Sequence, residues 1–218
     1  MKRIAGQTQG PLLTMPALIW QARDSTKDKR TMAKPTLDHP TLPLVKQRFP
    51  DVKFLATEFR GQTTLVVPRT HLHDVMAFLR DDSQCDYNFL SDVVGVDYLN
   101  YPAPTNAPGG RFAVIYNLAS YRLGRRLFVK VMLNPTLDTS GIEDDPALHI
   151  DSVTDLWPGA EWTEREVFDM LGIRFDGHPD LRRILLWEQY PAHPLRKDYP
   201  VIGRGERETY RVIHRDDA

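Results

Sequence analysis

The sequence predicts an α+β fold: a two-layer sandwich of a mainly antiparallel sheet with helices, followed by an irregular extended C-terminal tail. Two pairs of β-rich runs, each separated by a glycine-bearing turn, supply the sheet. A helical stripe of apolar residues lies between the pairs and can cover them. Beyond Gly172 the apolar residues keep neither a helical nor a strand period, and prolines punctuate the chain. The expected organisation is a disordered or additional leader over 1–35, an α+β domain over 36–172 and an extended partner-binding tail over 173–218.

In chain order, Leu42, Val45 and Phe49 are spaced along one face of a short helix that Pro50 closes. Residues 52–59 and 63–67 are β-rich and flank Gly61, the pattern of a hairpin. Pro68 ends the second run. Thr70 is placed to cap a helix carrying Leu72, Val75, Met76 and Leu79 at i, i+3, i+4 and i+7. Residues 89–99 are apolar with aspartates at 92 and 97 and read as a strand, a helix being the alternative. Residues 111–119 and 125–133 alternate apolar side chains to one face around Leu123-Gly124, the clearest hairpin of the chain. The proline-rich stretch 102–110 reads as a surface connection.

Composition excludes several function classes. Of 218 residues, 41% are hydrophobic and 26% charged, an ordinary globular balance. A formal net charge of −1 gives no global basic field, so nucleic acid is not an expected partner. No apolar run approaches the roughly 20 residues of a membrane span, so any membrane association is expected to be indirect. Cys85 is the single cysteine; it permits no internal disulfide and cannot by itself hold an iron–sulfur cluster. Near the start, Lys2 and Arg3 precede Leu12 and Leu13, but Pro11 and Pro16 break the run and no small-residue cleavage site follows, which argues against a secretory signal. A chain whose natural start is Met32 would account for the same residues.

The sequence carries no GxGxxG after a strand, no GxxxxGK[ST], no HExxH, no CxxC and no GxSxG. His71 and His73 read as surface residues at a helix start, and His149, His178 and His193 lack ligand spacing. No catalytic, cofactor-binding or metal-binding residue is expected in this chain. A hydrolase using His178 or His193 with Asp180 or Asp198 is the weaker alternative, since no nucleophile accompanies them.

The most informative stretch is 162–185. Thr163-x-x-Glu166 has the form of a capping box, Trp162 and Val167 are placed for a hydrophobic staple, and Gly172 provides a left-handed stop. Glu164, Phe168 and Leu171 share one helix face, and Arg165 and Asp169 form an i, i+4 pair on another. The tail that follows holds Leu181, Ile184, Leu185, Leu186, Trp187, Leu195, Tyr199 and Val201, too much apolar surface for a solvated end. The α+β domain has its own core, so the tail is expected to bury these residues on another chain. Arg182, Arg183, Arg196 and Lys197 would each pair with a partner carboxylate, and the domain would fold without the tail.

The run Glu164-Arg165-Glu166-Val167-Phe168-Asp169-Met170-Leu171, followed at fixed spacing by His178, Arg182 and Ile184-Leu185, resembles the signature of the 30-kDa subunit family of NADH-quinone oxidoreductase. Residues 153–157, 193–200 and 89–98 are also similar to that family, so the resemblance spans residues 40–205. Residues 1–35 lie outside it.

The resemblance implies a peripheral-arm subunit of respiratory complex I, an enzyme that passes electrons from NADH through flavin and iron–sulfur clusters to quinone. It implies that FMN and the clusters belong to partner subunits. Its neighbours would be the subunit that forms the quinone site and the one that holds the terminal cluster. The membrane arm would be touched only indirectly, at the cytoplasmic face of the bacterial inner membrane. Glu164, Arg165, Glu166, Asp169, His178, Arg182, Arg183, His193, Arg196, Lys197 and Asp198 are then the expected signature and partner interface. The alternative is the equivalent component of a membrane-bound hydrogenase-type complex.

Overall fold

In the computed structural model, which describes residues 37–101 and 109–206, helices cover one face of a five-stranded sheet. The expectations for residues 1–35, for most of the 102–110 connection and for the tail beyond 206 fall outside the described residues.

Helix α1 (Thr41–Arg48) precedes β1 (Leu55–Phe59) and β2 (Gln62–Val66), an antiparallel hairpin. Its turn residues Arg60 and Gly61 both have positive φ, 52° and 75°, which glycine tolerates without strain. A short 3₁₀ turn (Arg69–His71) runs into α2 (Leu72–Asp81) with His71 at the N-cap and no side-chain cap. Thr70 is therefore not the cap: the preceding turn already delivers the chain in helical form. Strands β3 (Phe89–Asp97), β4 (Phe112–Ser120) and β5 (Arg125–Leu133) form an antiparallel meander. The sheet order is β1-β2-β5-β4-β3, joined by a parallel β2–β5 contact. Helix α3 (Ala160–Leu171) follows β6 (His149–Asp151) and precedes β7 (Arg174–Asp176), and these two short strands pair in parallel.

Strand register explains the layering. Val93, Tyr116, Val129 and Leu65 lie in one row across four strands, and all four are buried. Phe112, Val114, Leu118, Leu127, Val131 and Leu133 share that face by period-2 alternation. Against it pack Leu72, Val75, Met76 and Leu79 of α2, each fully buried, as their helical spacing predicts. The opposite face carries Ile115, Asn117, Phe128 and Lys130, which are only half-buried.

Gly95 sets how closely α3 approaches β3. A Cβ there would collide with Leu171 Cδ1 and lie 3.0 Å from Val167 Cγ1. Gly95→Val should therefore destabilise the chain by about 1–3 kcal/mol through overpacking. A urea midpoint unchanged from the parent would show that α3 does not seat on this glycine.

Candidate functional site

Helix α3 begins at Ala160 with Gly159 at its N-cap. The amides of Ala160 and Glu161 donate to the carbonyls of Trp157 and Pro158, so the Trp-Pro-Gly turn starts the helix three residues before Thr163. Thr163 is an interior helical residue whose hydroxyl donates to the Ala160 carbonyl at 3.2 Å. Trp162 is exposed, with the Arg165 guanidinium over its ring. The capping box and its hydrophobic staple are thus not formed. The left-handed stop is: Gly172 has φ +74°.

At the C-terminus of a helix the last carbonyls lack helical partners. The Gly172 amide reaches Phe168 at 2.8 Å, and the tail supplies donors to the next three carbonyls. His193 Nδ1 donates to the Asp169 carbonyl at 2.9 Å and Arg183 Nη1 to the same oxygen at 3.1 Å. The Leu195 amide donates to Met170 at 3.1 Å, and Arg196 Nε to Leu171 at 2.7 Å. Two cations therefore sit where the helix dipole is negative. Gly172 has no room for a side chain, because a Cβ would meet Arg196 Nη2 and His193 Nε2.

The Asp169 carboxylate completes the clasp from the helix side. It is fully buried and accepts from Arg183 Nη1 at 2.7 Å and from the amides of Ile184, Leu185 and Leu186 at 3.1, 2.8 and 2.9 Å. Burial alone would push its acidity down, but these donors outweigh burial and hold the carboxyl below its ordinary range. Arg183 also donates to the carbonyls of Tyr190 and Ala192, closing the loop between them. A second network lies beside it: Arg111 pairs with the buried Asp97 and with Asp198, both at 2.9 Å, while the Lys197 amide donates to Asp97 at 2.8 Å.

Glu164 faces a separate environment. It is fully buried, accepting from Ser152 Oγ at 2.7 Å and the Val153 amide at 2.9 Å. Burial pushes its carboxyl up to about 7 despite those donors, with the Asp155 charge adding to the rise. Burial, aided by the Arg196 and Arg183 cations, lowers His193 to about 4, so its imidazole is neutral at pH 7.

Residues 65–205 match the family described as the respiratory-chain NADH dehydrogenase 30-kDa subunit. The chain belongs to this 30-kDa subunit family. The corresponding NADH-quinone oxidoreductase subunit of Citrifermentans bemidjiense is 42% identical over 167 residues, covering 77% of this chain and 91% of that one. That of Geobacter sulfurreducens is 41% identical with the same shares covered. A solved trypsin-resistant fragment of Nqo5 is 35% identical at a TM-score of 0.51, over 65% of this chain and 96% of the fragment. A chain of the membrane-bound sulfane sulfur reductase, an archaeal respiratory membrane complex, is 19% identical at a TM-score of 0.56, over 81% of this chain and 95% of that one, a likeness of fold.

In this member of the 30-kDa subunit family, most of the signature residues bond within the chain. Arg165 donates to the carbonyls of Arg182 and Arg183 at 3.2 Å each, so the expected i, i+4 pair with Asp169 is replaced by Arg183. His178 Nε2 donates to the Glu161 carbonyl, and its Nδ1 accepts from the Asp180 amide. Arg183 and Arg196 are turned inward, which corrects the expectation that each would seek a partner carboxylate. Arg182 pairs with Asp180 at the surface, and Glu166 and Lys197 are exposed.

The tail is also no free appendage. Ile173 and Phe175 are buried, and Leu181 and Leu186 pack on the core, so the boundary expected at 172 passes through the domain. Asp97, Arg111 and Ser152 belong to the constellation without having been singled out. A carboxylate inside the apolar run 89–99 was the available signal for Asp97.

Neither His178 nor His193 forms a side-chain pair with Asp180 or Asp198: Asp180 pairs with Arg182, Asp198 with Arg111. Burial pushes the Cys85 thiol up to about 11, which keeps it protonated at neutral pH. Among the described residues, no group of three or more His, Cys, Asp or Glu is placed to hold a metal ion.

Glu164 and His193 act oppositely on stability over one pH range. Glu164, raised in the fold, contributes stability that is fully present below about pH 4.3 and lost as pH rises through about 7. His193, lowered in the fold, contributes stability present above about pH 6.5 and lost as pH falls through about 4. Their slopes offset between about pH 4.5 and 6.5. Glu164→Gln should leave the contribution of His193 unopposed, so that the variant loses stability on acidification faster than the parent, by up to about 1.4 kcal/mol per pH unit. Parallel stability–pH curves for variant and parent would contradict this.

The Asp169 clasp makes a second prediction. Asp169→Asn should leave the Arg183 cation buried without its counter-charge, at a cost of about 3–5 kcal/mol in urea unfolding. A loss under about 1 kcal/mol would mean that the carboxylate is not the centre of the clasp.

Proposed function

We propose that this chain is a structural subunit, without a cofactor of its own, of an NADH-quinone oxidoreductase that passes electrons from NADH through flavin and iron–sulfur clusters to quinone. The observation that supports it is the division of labour in the tail. The polar signature residues lock the tail to α3, while Leu185, Trp187, Leu195, Val201 and Ile202 stand exposed on its outer side. Several exposed apolar side chains carried on one hydrogen-bonded segment are what a permanent partner covers. Within this reading the partner is the subunit that forms the quinone site, with the terminal-cluster subunit nearby. Lys197, exposed at the rim, would meet a partner carboxylate, and Arg182 would do so together with its own Asp180.

No helix among the described residues is long and apolar enough to cross a membrane. Attachment at the cytoplasmic face of the inner membrane would then run through partner subunits, with the membrane arm touched only indirectly. The hydrogenase-type alternative is supported only by a likeness of fold.

Affinity purification of the tagged full-length chain from native membranes tests the proposal. It should co-elute stoichiometrically with flavin- and cluster-bearing subunits and with NADH–quinone reductase activity. Elution alone, or with a nickel-bearing subunit in place of the flavin subunit, would refute it. Replacing Val201 and Ile202 together by Asp should lower incorporation at least about tenfold, since burying each apolar side chain contributes about 1.5–3 kcal/mol. The melting temperature of the free chain should be unchanged.

A further inference from the structure

The end of the sheet opposite the clasp carries a different surface. Phe59 lies opposite Gln62, Ala119 opposite Phe89, and Ser120 opposite Arg125, while β2 runs parallel to β5. These registers bring the Arg60–Gly61 turn, the start of β3 and the β4–β5 turn to one edge of the domain. The clasp meets the other end, where Arg196 lies over the Phe112 ring and Asp198 pairs with Arg111. The nine residues of β4 separate the two ends by roughly 30 Å.

Three aromatic rings stand out at this far end: Phe59, Phe89 and Tyr121 are 66%, 41% and 71% exposed. Phe89 and Tyr121 touch, with ring centroids 5.2 Å apart. Beside them is an open cavity of about 670 Å³ whose wall includes His39, Arg125 and Arg126 and contains no carboxylate. Arg122 is paired with Asp86 at 2.6 Å. Among the described residues, Arg60, Arg125 and Arg126 form no ion pair; Arg125 reaches only the Gln84 carbonyl, at 3.2 Å.

We propose that this end is a second docking surface, for an acidic segment of a neighbouring protein subunit. Its carboxylates would pair with Arg125 and Arg126, and its apolar side chains would lie on Phe89 and Tyr121. Guanidinium groups take carboxylates as bidentate forks, and arginines beside exposed aromatics are the composition of interface hot spots. The cationic ground is short: Asp86 already neutralises Arg122, and the exposed Asp92 follows three residues after Phe89 on β3. That limits the fit to a few carboxylates and disfavours a continuous polyanion such as a nucleic acid. The proposal rests on the chain being a subunit of a complex, and it makes the domain a bridge between two neighbours.

The test uses Arg126→Lys in the full-length chain, purified within its assembled complex and treated with a water-soluble carbodiimide. This reagent joins an amine to a carboxylate only at contact distance. The expected result is a covalent link from position 126 to an Asp or Glu of another subunit, located by mass spectrometry of the digest. In parallel, Arg125→Glu combined with Arg126→Glu should lower incorporation at least about tenfold while the free chain melts as the parent does. A second sample is treated with acetic anhydride instead, and the proposal is overturned if the new amine is acetylated equally in the complex and in the free chain, or if its carbodiimide link returns to this chain's own residues. It is also overturned if nuclease treatment of the complex is what exposes the new amine to the anhydride. Co-purification with an unreactive position 126 would refute this surface alone. Absence of the chain from any complex would refute the assembly reading, and a subunit partner with it.

Discussion

The C-terminus of α3 ends inside the molecule, and its unpaired carbonyls and one buried carboxylate have to be satisfied there. Water cannot reach Asp169, which is fully buried, so its charge is tolerable only with several donors around it. Arg183 and three consecutive amides provide them. The same arginine, with His193, Leu195 and Arg196, covers the last helical carbonyls. This requirement shapes the irregular tail: it has no period because its path is set by the acceptors of a helix end rather than by a ladder of its own.

The consequence for assembly is preorganisation. A tail that was loose before meeting its partner would subtract an ordering cost of about 2–5 kcal/mol from the interface. Here the ordering is done within the domain, and the side chains left over, Leu185, Leu195, Val201 and Ile202, are held outward on a fixed backbone. Gly95 and Gly172 contribute by being small. One lets α3 lie close on β3, and the other lets His193 and Arg196 pass across the helix stop. Together with the Arg111 network they tie the sheet, the helix and the tail into one unit.

Much of this was legible from residue order. The α2 stripe, both hairpins and the stop at Gly172 follow from local periodicity and turn chemistry, and the run 89–99, which could also have been a helix, is a strand over Phe89–Asp97. Two caps were misplaced because a backbone turn at Trp157-Pro158-Gly159, and a 3₁₀ turn before α2, start the helices without a side chain. The parallel β2–β5 contact depends on a crossover that no local pattern records. The inward path of the tail is hidden from the sequence for a related reason. Arg183 and Asp169 stand fourteen residues apart, so their pairing is a tertiary fact, and a basic residue beside an apolar one looks the same whether it faces a partner or its own helix end.

On this account the tail is folded onto α3 before any partner arrives. Hydrogen exchange of the isolated full-length chain tests it most directly, read at the amides of Ile184, Leu185 and Leu186. Donation to the buried Asp169 carboxylate predicts that these three exchange as slowly as the amides in the middle of α3. Exchange at the rate of an unstructured peptide would show that the clasp closes only in the complex.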